Sequence, residues 1–317
     1  MKRYLIIIAT LIVLGYTYDI LYYYTGTLYF PHIGEPSYFS KAEGDRLYIN
    51  EGDGFEIYDI RGVNLGLGKP GYYATEYSIT KEEYLSWFRQ IKDLGANTIR
   101  TYTLAHPDFY EAFYEFNAGN PDPLYLIHGV WVDDYLINAT YSALDEEFSK
   151  PFLDACKDTV DVIHDRHKTT AFGNMLPDRY KYDISPRVYG YILGIEWEST
   201  LIHYTDEYKL QLPQHNGTYF YTEDAGNFEI FLAQAGEAVA QYETGKYGTQ
   251  RVIAFSNWAT TDPLTYPENI TEYFEKCGSV DTERIKCTDA FNPGQFASYH
   301  VYPYYPVVSF GVIVSCG

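Results

Sequence analysis

The chain has 317 residues, 43 acidic against 23 basic, a net charge of −20, and 36 tyrosines within an aromatic content of 18%. So acidic a chain excludes nucleic acid as a partner, because neutralising phosphates takes a basic face. Hydrophobic residues at 46% exclude both wholesale disorder and a polytopic membrane protein, and the length suits one α/β barrel, which takes roughly 250 residues.

Lys2 and Arg3 precede an apolar run from Tyr4 to Tyr16 with the charge and length of a secretory h-region. No small-x-small cleavage site follows; the chain continues YTYDILYYYTG, a tyrosine-rich stretch suited to a membrane interface. The expectation for residues 1–30 is therefore a signal anchor, with a cleaved signal peptide as the alternative, and an extracytoplasmic location, membrane-anchored or secreted. Asn138-Ala-Thr140, Asn216-Gly-Thr218 and Asn269-Ile-Thr271 have the form of N-glycosylation acceptors. Four cysteines suit an oxidising compartment, and Cys277 and Cys287 could close a short loop.

Residues 31–54 are rich in Tyr, Gly and charge and read as a linker or a short strand-bearing extension. From Phe55 onward (55–317, the expected barrel domain) apolar runs alternate with amphipathic segments, the signature of repeated βα units around a parallel sheet. Strands are predicted at Tyr58 to Asn64, Thr98 to Tyr102, Leu124 to Val130, Val188 to Glu196, Arg251 to Asn257 and Phe296 to Tyr302. Helices fall between them. Thr80 opens TKEE, a capping box, with Tyr84, Phe88 and Ile91 on one face. A second helix runs from about Asp145 to His167 with a stripe of Phe148, Phe152, Cys156, Val160 and Ile163, and a third from about Asn227 to Tyr247.

In a parallel barrel the chemistry stands at the C-terminal ends of the strands. There the sequence delivers Asn64, then Arg100 and Tyr102, Trp131 and Asp133, Glu196 and Trp197, Asn257 and Trp258, and His300 and Tyr302. Polar groups interleaved with aromatics at one rim suit a sugar, whose C–H faces stack on rings while its hydroxyls bond amides, Arg and carboxylates. Glu196 is the sharpest position: a long apolar strand ends in a carboxylate beside Trp197, where desolvation would make it a general acid. The alternative is a salt bridge with Arg100 or His300. No CxxC and no H-x-x-x-H pair is present, so neither metal nor cofactor is expected.

GIEWES, TIRTY, RVIAFSNWATTDPLTYPEN and ASYHVYPYYP resemble a bacterial and archaeal branch of glycoside hydrolases, of the clan that includes families 2 and 5. The resemblance runs from about Phe55 to Pro306. It implies a (β/α)8 TIM-barrel type of α/β fold, with Glu196 as acid/base and Arg100, His300 and Tyr302 as substrate-binding residues. Ile195 stands where the clan carries Asn. Ser309, in the apolar run VVSFGV, stands where it carries the strand-seven Glu that serves as nucleophile. A βα crossover takes at least about 10 residues, more than separate strand six from that run. The barrel is thus expected to be incomplete at strands seven and eight. The implied function is a hydrolase acting with retention on a β-linked poly- or oligosaccharide, its nucleophile missing from this chain. The alternative is a noncatalytic carbohydrate-binding protein at the cell envelope; a purely structural envelope protein would explain the charge but not the rim.

Overall fold

A computed structural model describes residues 2–24, 28–73, 76–131, 140–165, 180–207, 210–273 and 276–301. The first helix, α1 (Lys2–Asp19), continues as a π-turn to Tyr24, and the stretch Lys2–Tyr22 is long and apolar enough to cross a membrane. Its 21 residues rise about 31 Å, which matches a hydrocarbon core of about 30 Å.

Three short strands, β1 (Ser40–Glu43), β2 (Arg46–Asn50) and β3 (Phe55–Ile57), form an antiparallel meander that crosses the expected boundary at Phe55. The segment read as a linker or extension therefore carries strands. Six parallel strands follow: β4 (Gly62–Asn64), β5 (Thr98–Thr101), β6 (Tyr125–Val130), β7 (Val188–Leu193), β9 (Val252–Trp258) and β11 (Ser298–His300). All six fall within the predicted segments or run one residue past them. Two more strands, β8 (Phe220–Thr222) and β10 (Ile285–Cys287), pair with each other outside this sheet.

The six parallel strands lie side by side in chain order, without the reversal that marks a doubly wound sheet. The sheet is also curled. Arg100 on β5 and His300 on β11 are separated by four strand intervals, about 19 Å in a flat sheet, yet their side chains meet at 2.9 Å. The result is a mixed α/β architecture built on a six-stranded half-barrel.

Helices cover the convex face: α2 (Lys81–Asp93), α3 (Pro107–Asn117), α4 (Glu146–Ile163), α5 (Ser199–Asp206) and α6 (Asn227–Tyr247), while the short α7 (Glu268–Tyr273) lies in a later loop. The Thr80 capping box forms as the sequence predicts, Thr80 Oγ1 accepting from Glu83 N–H while the Glu83 carboxylate accepts from Thr80 N–H. Phe88, Phe109, Phe113, Phe148, Phe228 and Phe231 pack from these helices onto Ile99, Leu126, Val188, Leu193, Ile253 and Phe255 of the sheet. Burying each such side chain contributes about 1.5–3 kcal/mol. On the concave face a second, smaller core of Ile49, Tyr58, Tyr125, Ile127, Tyr189, Ile192, Val252 and Ala254 joins the meander to the strands. The meander thereby plugs the N-terminal mouth and leaves the C-terminal rim for the site.

Candidate active site at the C-terminal rim

Glu196 stands three residues beyond the end of β7, not at its tip as the apolar run suggested. The strand stops at Leu193 because Gly194 turns into the left-handed region, with φ +85°. Only glycine fits there, since a Cβ would lie 2.1 Å from the ring of Trp197. The turn sends the Trp197 ring into the core and leaves Glu196 partly open, its side chain 29% exposed.

From that position Glu196 Oε1 lies 2.8 Å from His300 Nδ1, and His300 Nε2 lies 2.9 Å from an Arg100 guanidinium nitrogen. A guanidinium only donates, so Nε2 must accept, and the hydrogen of the neutral ring then sits on Nδ1 and is donated to Glu196. The Arg100 plane in turn sits over the Tyr102 ring at 4.7 Å. Three strand ends that are far apart in sequence therefore share one hydrogen-bonded chain. Both partners named as the structural alternative for Glu196 belong to it, His300 directly and Arg100 one step removed.

The other expected rim residues divide by which way they face. Trp258 ends β9 half-buried, and its indole N–H donates to the Trp197 carbonyl at 2.8 Å, fixing one ring across the Glu196 loop. Asn64, in register with Arg100, and Trp131, just past β6, are exposed at their strand ends. Trp197 does not reach the rim: it is wholly buried, edge-on to Phe152 and Phe228. Nor does Asn257, which is wholly buried on the helix side. Its amide donates to Val280 O and its carbonyl accepts from Trp258 N–H and the Thr261 hydroxyl. Asp133, Tyr302 and Ser309 lie outside the described residues.

Asn257 instead anchors the long loop that follows β9. That loop is also pinned beside Glu196 by Ser199, a residue the sequence reading passed over. The buried Ser199 hydroxyl accepts from Cys277 N–H at 2.8 Å and Gly278 N–H at 2.7 Å. No local pattern marks it, because Ser199 is the first helical residue after the N-cap Glu198 and its partners lie 78 and 79 positions away. Within the loop, Lys276 pairs with Asp262 at 2.7 Å, and burial together with its bond to Asp262 pushes the Tyr266 hydroxyl up to about 12. Cys277 and Cys287, expected as a candidate disulfide, are free thiols, Cys277 exposed and Cys287 in β10. Among the described residues no group of three or more His, Cys, Asp or Glu converges as a metal site would. A separate apolar cleft of about 170 Å³, lined by Phe113, Tyr114, Ile184 and Pro186, lies at the opposite, N-terminal end of the strands. Compared with known protein families, curated proteins and solved structures, the chain matches none of them.

Proposed function

We propose that the chain is a glycoside hydrolase-like protein whose sugar site is the rim around Glu196, and that its half-barrel is six-eighths of a (β/α)8 architecture. The observation that carries this reading is the chain Glu196–His300–Arg100–Tyr102, a carboxylate oriented by a neutral imidazole beside exposed and half-buried aromatics. A carboxylic acid held in one orientation by His300 can deliver its proton to a leaving glycosidic oxygen. Glu196 is then the general acid/base. Trp258 and Tyr102 offer ring faces to a pyranose, and Asn64 and Arg100 offer donors to its hydroxyls. The substrate is a β-linked poly- or oligosaccharide met outside the cytoplasm, with the Lys2–Tyr22 helix as membrane anchor.

A second reading follows from the sequence resemblance, which aligns Ser309 with the Glu that a retaining mechanism needs as nucleophile. On that reading the rim binds glycans without cleaving them. Incubation with a panel of 2-fluoro glycosides, followed by intact mass and peptide mapping, separates the two. A stoichiometric adduct identifies a nucleophile within these residues. Glycan binding with no adduct and no release of reducing ends favours the noncatalytic protein, and absence of any glycan affinity removes both. Glu196→Gln should abolish turnover of a substrate with a poor leaving group while retaining binding.

A further inference from the structure

The segment that follows the apolar helix is docked onto the domain. His32 N–H donates to Gly245 O at 2.7 Å, Ser37 N–H to Gly248 O at 2.9 Å, and Gln250 N–H to Ser37 O at 2.9 Å. Tyr29 meets Tyr242 edge-on at 6.1 Å. The ammonium of Lys246, fully buried and paired with Asp161 at 2.9 Å, has the rings of Tyr22 and Tyr29 at 5.8 and 5.9 Å. Gly248 has φ +67°, and a Cβ there would lie 2.4 Å from the His32 ring, so the close approach of the two segments requires glycine at this position. All these docking partners belong to the last turns of α6 and the entry to β9. They mark the N-terminal end of the sheet, opposite Glu196, His300 and Trp258.

The same segment turns apolar side chains away from the domain. Leu28 is 40% exposed, Phe30 73% and Ile33 94%, and they continue the exposed apolar surface of α1. Water is a poor environment for such a stretch, whereas the interfacial zone of a bilayer accommodates it, with Tyr16, Tyr18 and Tyr22 placed as an aromatic belt. Lys2 and Arg3 at the far end of the helix favour the cytoplasmic side.

We propose that this docked segment holds the domain in one orientation on a lipid bilayer. The plugged N-terminal mouth of the sheet faces the headgroups, Phe30 and Ile33 enter the interface, and the Glu196 rim faces the aqueous side. The seven residues of β9 set the rim about 20 Å further from the bilayer than the docking site. A ligand therefore reaches Glu196 from the aqueous phase and not from among the lipid headgroups. This inference rests on the membrane reading of Lys2–Tyr22 and is independent of what the rim does chemically.

The test uses the full chain reconstituted in phosphatidylcholine vesicles containing a headgroup-quencher lipid, with Cys277, Cys287 and Cys316 replaced by Ser. A fluorophore is placed on a single introduced cysteine: Leu94→Cys or Asp122→Cys at the N-terminal end, Glu223→Cys or Leu264→Cys at the rim end. Quenching at Leu94 and Asp122 should exceed that at Glu223 and Leu264 at least threefold. Replacing residues 28–36 by eighteen Gly/Ser residues should bring the two sets together. Equal quenching in the otherwise unaltered chain, or stronger quenching at the rim, overturns the orientation. Flotation is measured first. A chain that does not float with the vesicles overturns the anchor and this inference together, and leaves the glycan reading to its own tests.

Discussion

Replacing Gly194 by alanine perturbs the turn that presents Glu196, and its cost can be worked from two separable contributions. An L-residue at φ +85° costs about 1–2 kcal/mol in backbone strain. Its Cβ would lie 2.1 Å from one carbon of the Trp197 ring and 2.6 Å from another, and that ring is wholly buried between Phe152 and Phe228. Forcing such a ring to move adds about 1–3 kcal/mol. The sum, about 2–5 kcal/mol, is a large fraction of the 5–15 kcal/mol typical of a folded protein. Urea unfolding of the full chain in detergent micelles, followed by far-ultraviolet circular dichroism, should show the midpoint falling accordingly. Trp197→Leu provides the control, because removing the ring removes the overlap and should leave only the backbone contribution of Gly194→Ala. The reasoning fails if Gly194→Ala costs less than about 0.5 kcal/mol, or the same in both backgrounds. Glycan affinity should fall with it, since Glu196 is two residues away.

Acid stability should carry two distinguishable arms. Burial raises Glu243, but Arg251 and His164 outweigh it and hold the carboxyl at about 2, below its usual value. Its contribution of about 3 kcal/mol is present above pH 4.5 and is lost as pH falls towards 2, so Glu243→Gln should flatten that arm of the unfolding free energy; an unchanged slope there would count against it. Burial holds His128 at about 4, so stability should fall as pH drops from about 6.5 through 4, an arm His128→Gln removes and Glu243→Gln leaves in place. For any oligosaccharide that binds, Arg100→Met should weaken affinity at least tenfold by calorimetry, and Arg100→Lys should restore only part, because an ammonium lacks the fork that reaches both His300 and the rim. Among Cys156, Cys277 and Cys287, Cys277 should react first with Ellman's reagent, as burial pushes the Cys287 thiol up to about 12 and Cys156 higher still. A Cys277–Cys287 peptide in a non-reducing map would contradict this.

The central strands β6, β7 and β9 were legible because each is a largely apolar run buried on both faces, the pattern a parallel sheet imposes, whereas the short outer strands β4 and β11 are exposed or half-buried. The strand ends were less legible. Hydrophobicity carries no sign of the left-handed turn at Gly194, and the predicted strand therefore overran Leu193 to Glu196. Helix α3 was missed although Pro107 follows a capping His106 and Phe109 and Phe113 share a face; the run HPDFYEAFYEF is so aromatic that its period is hard to see. The meander at β1 to β3 has no apolar face of its own strong enough to register. It is stabilised by tertiary contact, through Ile49 and Tyr58 packing on Tyr189 and Val252.

At the rim, the sequence located the strands whose C-terminal ends meet, but not which side chains face the same way. Neighbouring residues on a strand point to opposite faces, so Asn257 and Trp258 could not both line the concave side. Asn257 turns to the helices and holds the loop at Val280, while Trp258 crosses to the Trp197 carbonyl. The same division separates Glu196 from Trp197 across a turn. The pairing that organises the site lay beyond any local pattern, because Arg100 and His300 are 200 positions apart and only a curled sheet brings them within 2.9 Å. That contact links the fold to its proposed chemistry. The curl supplies the Arg100 donor, the donor fixes the His300 tautomer, and the tautomer orients the Glu196 carboxylate.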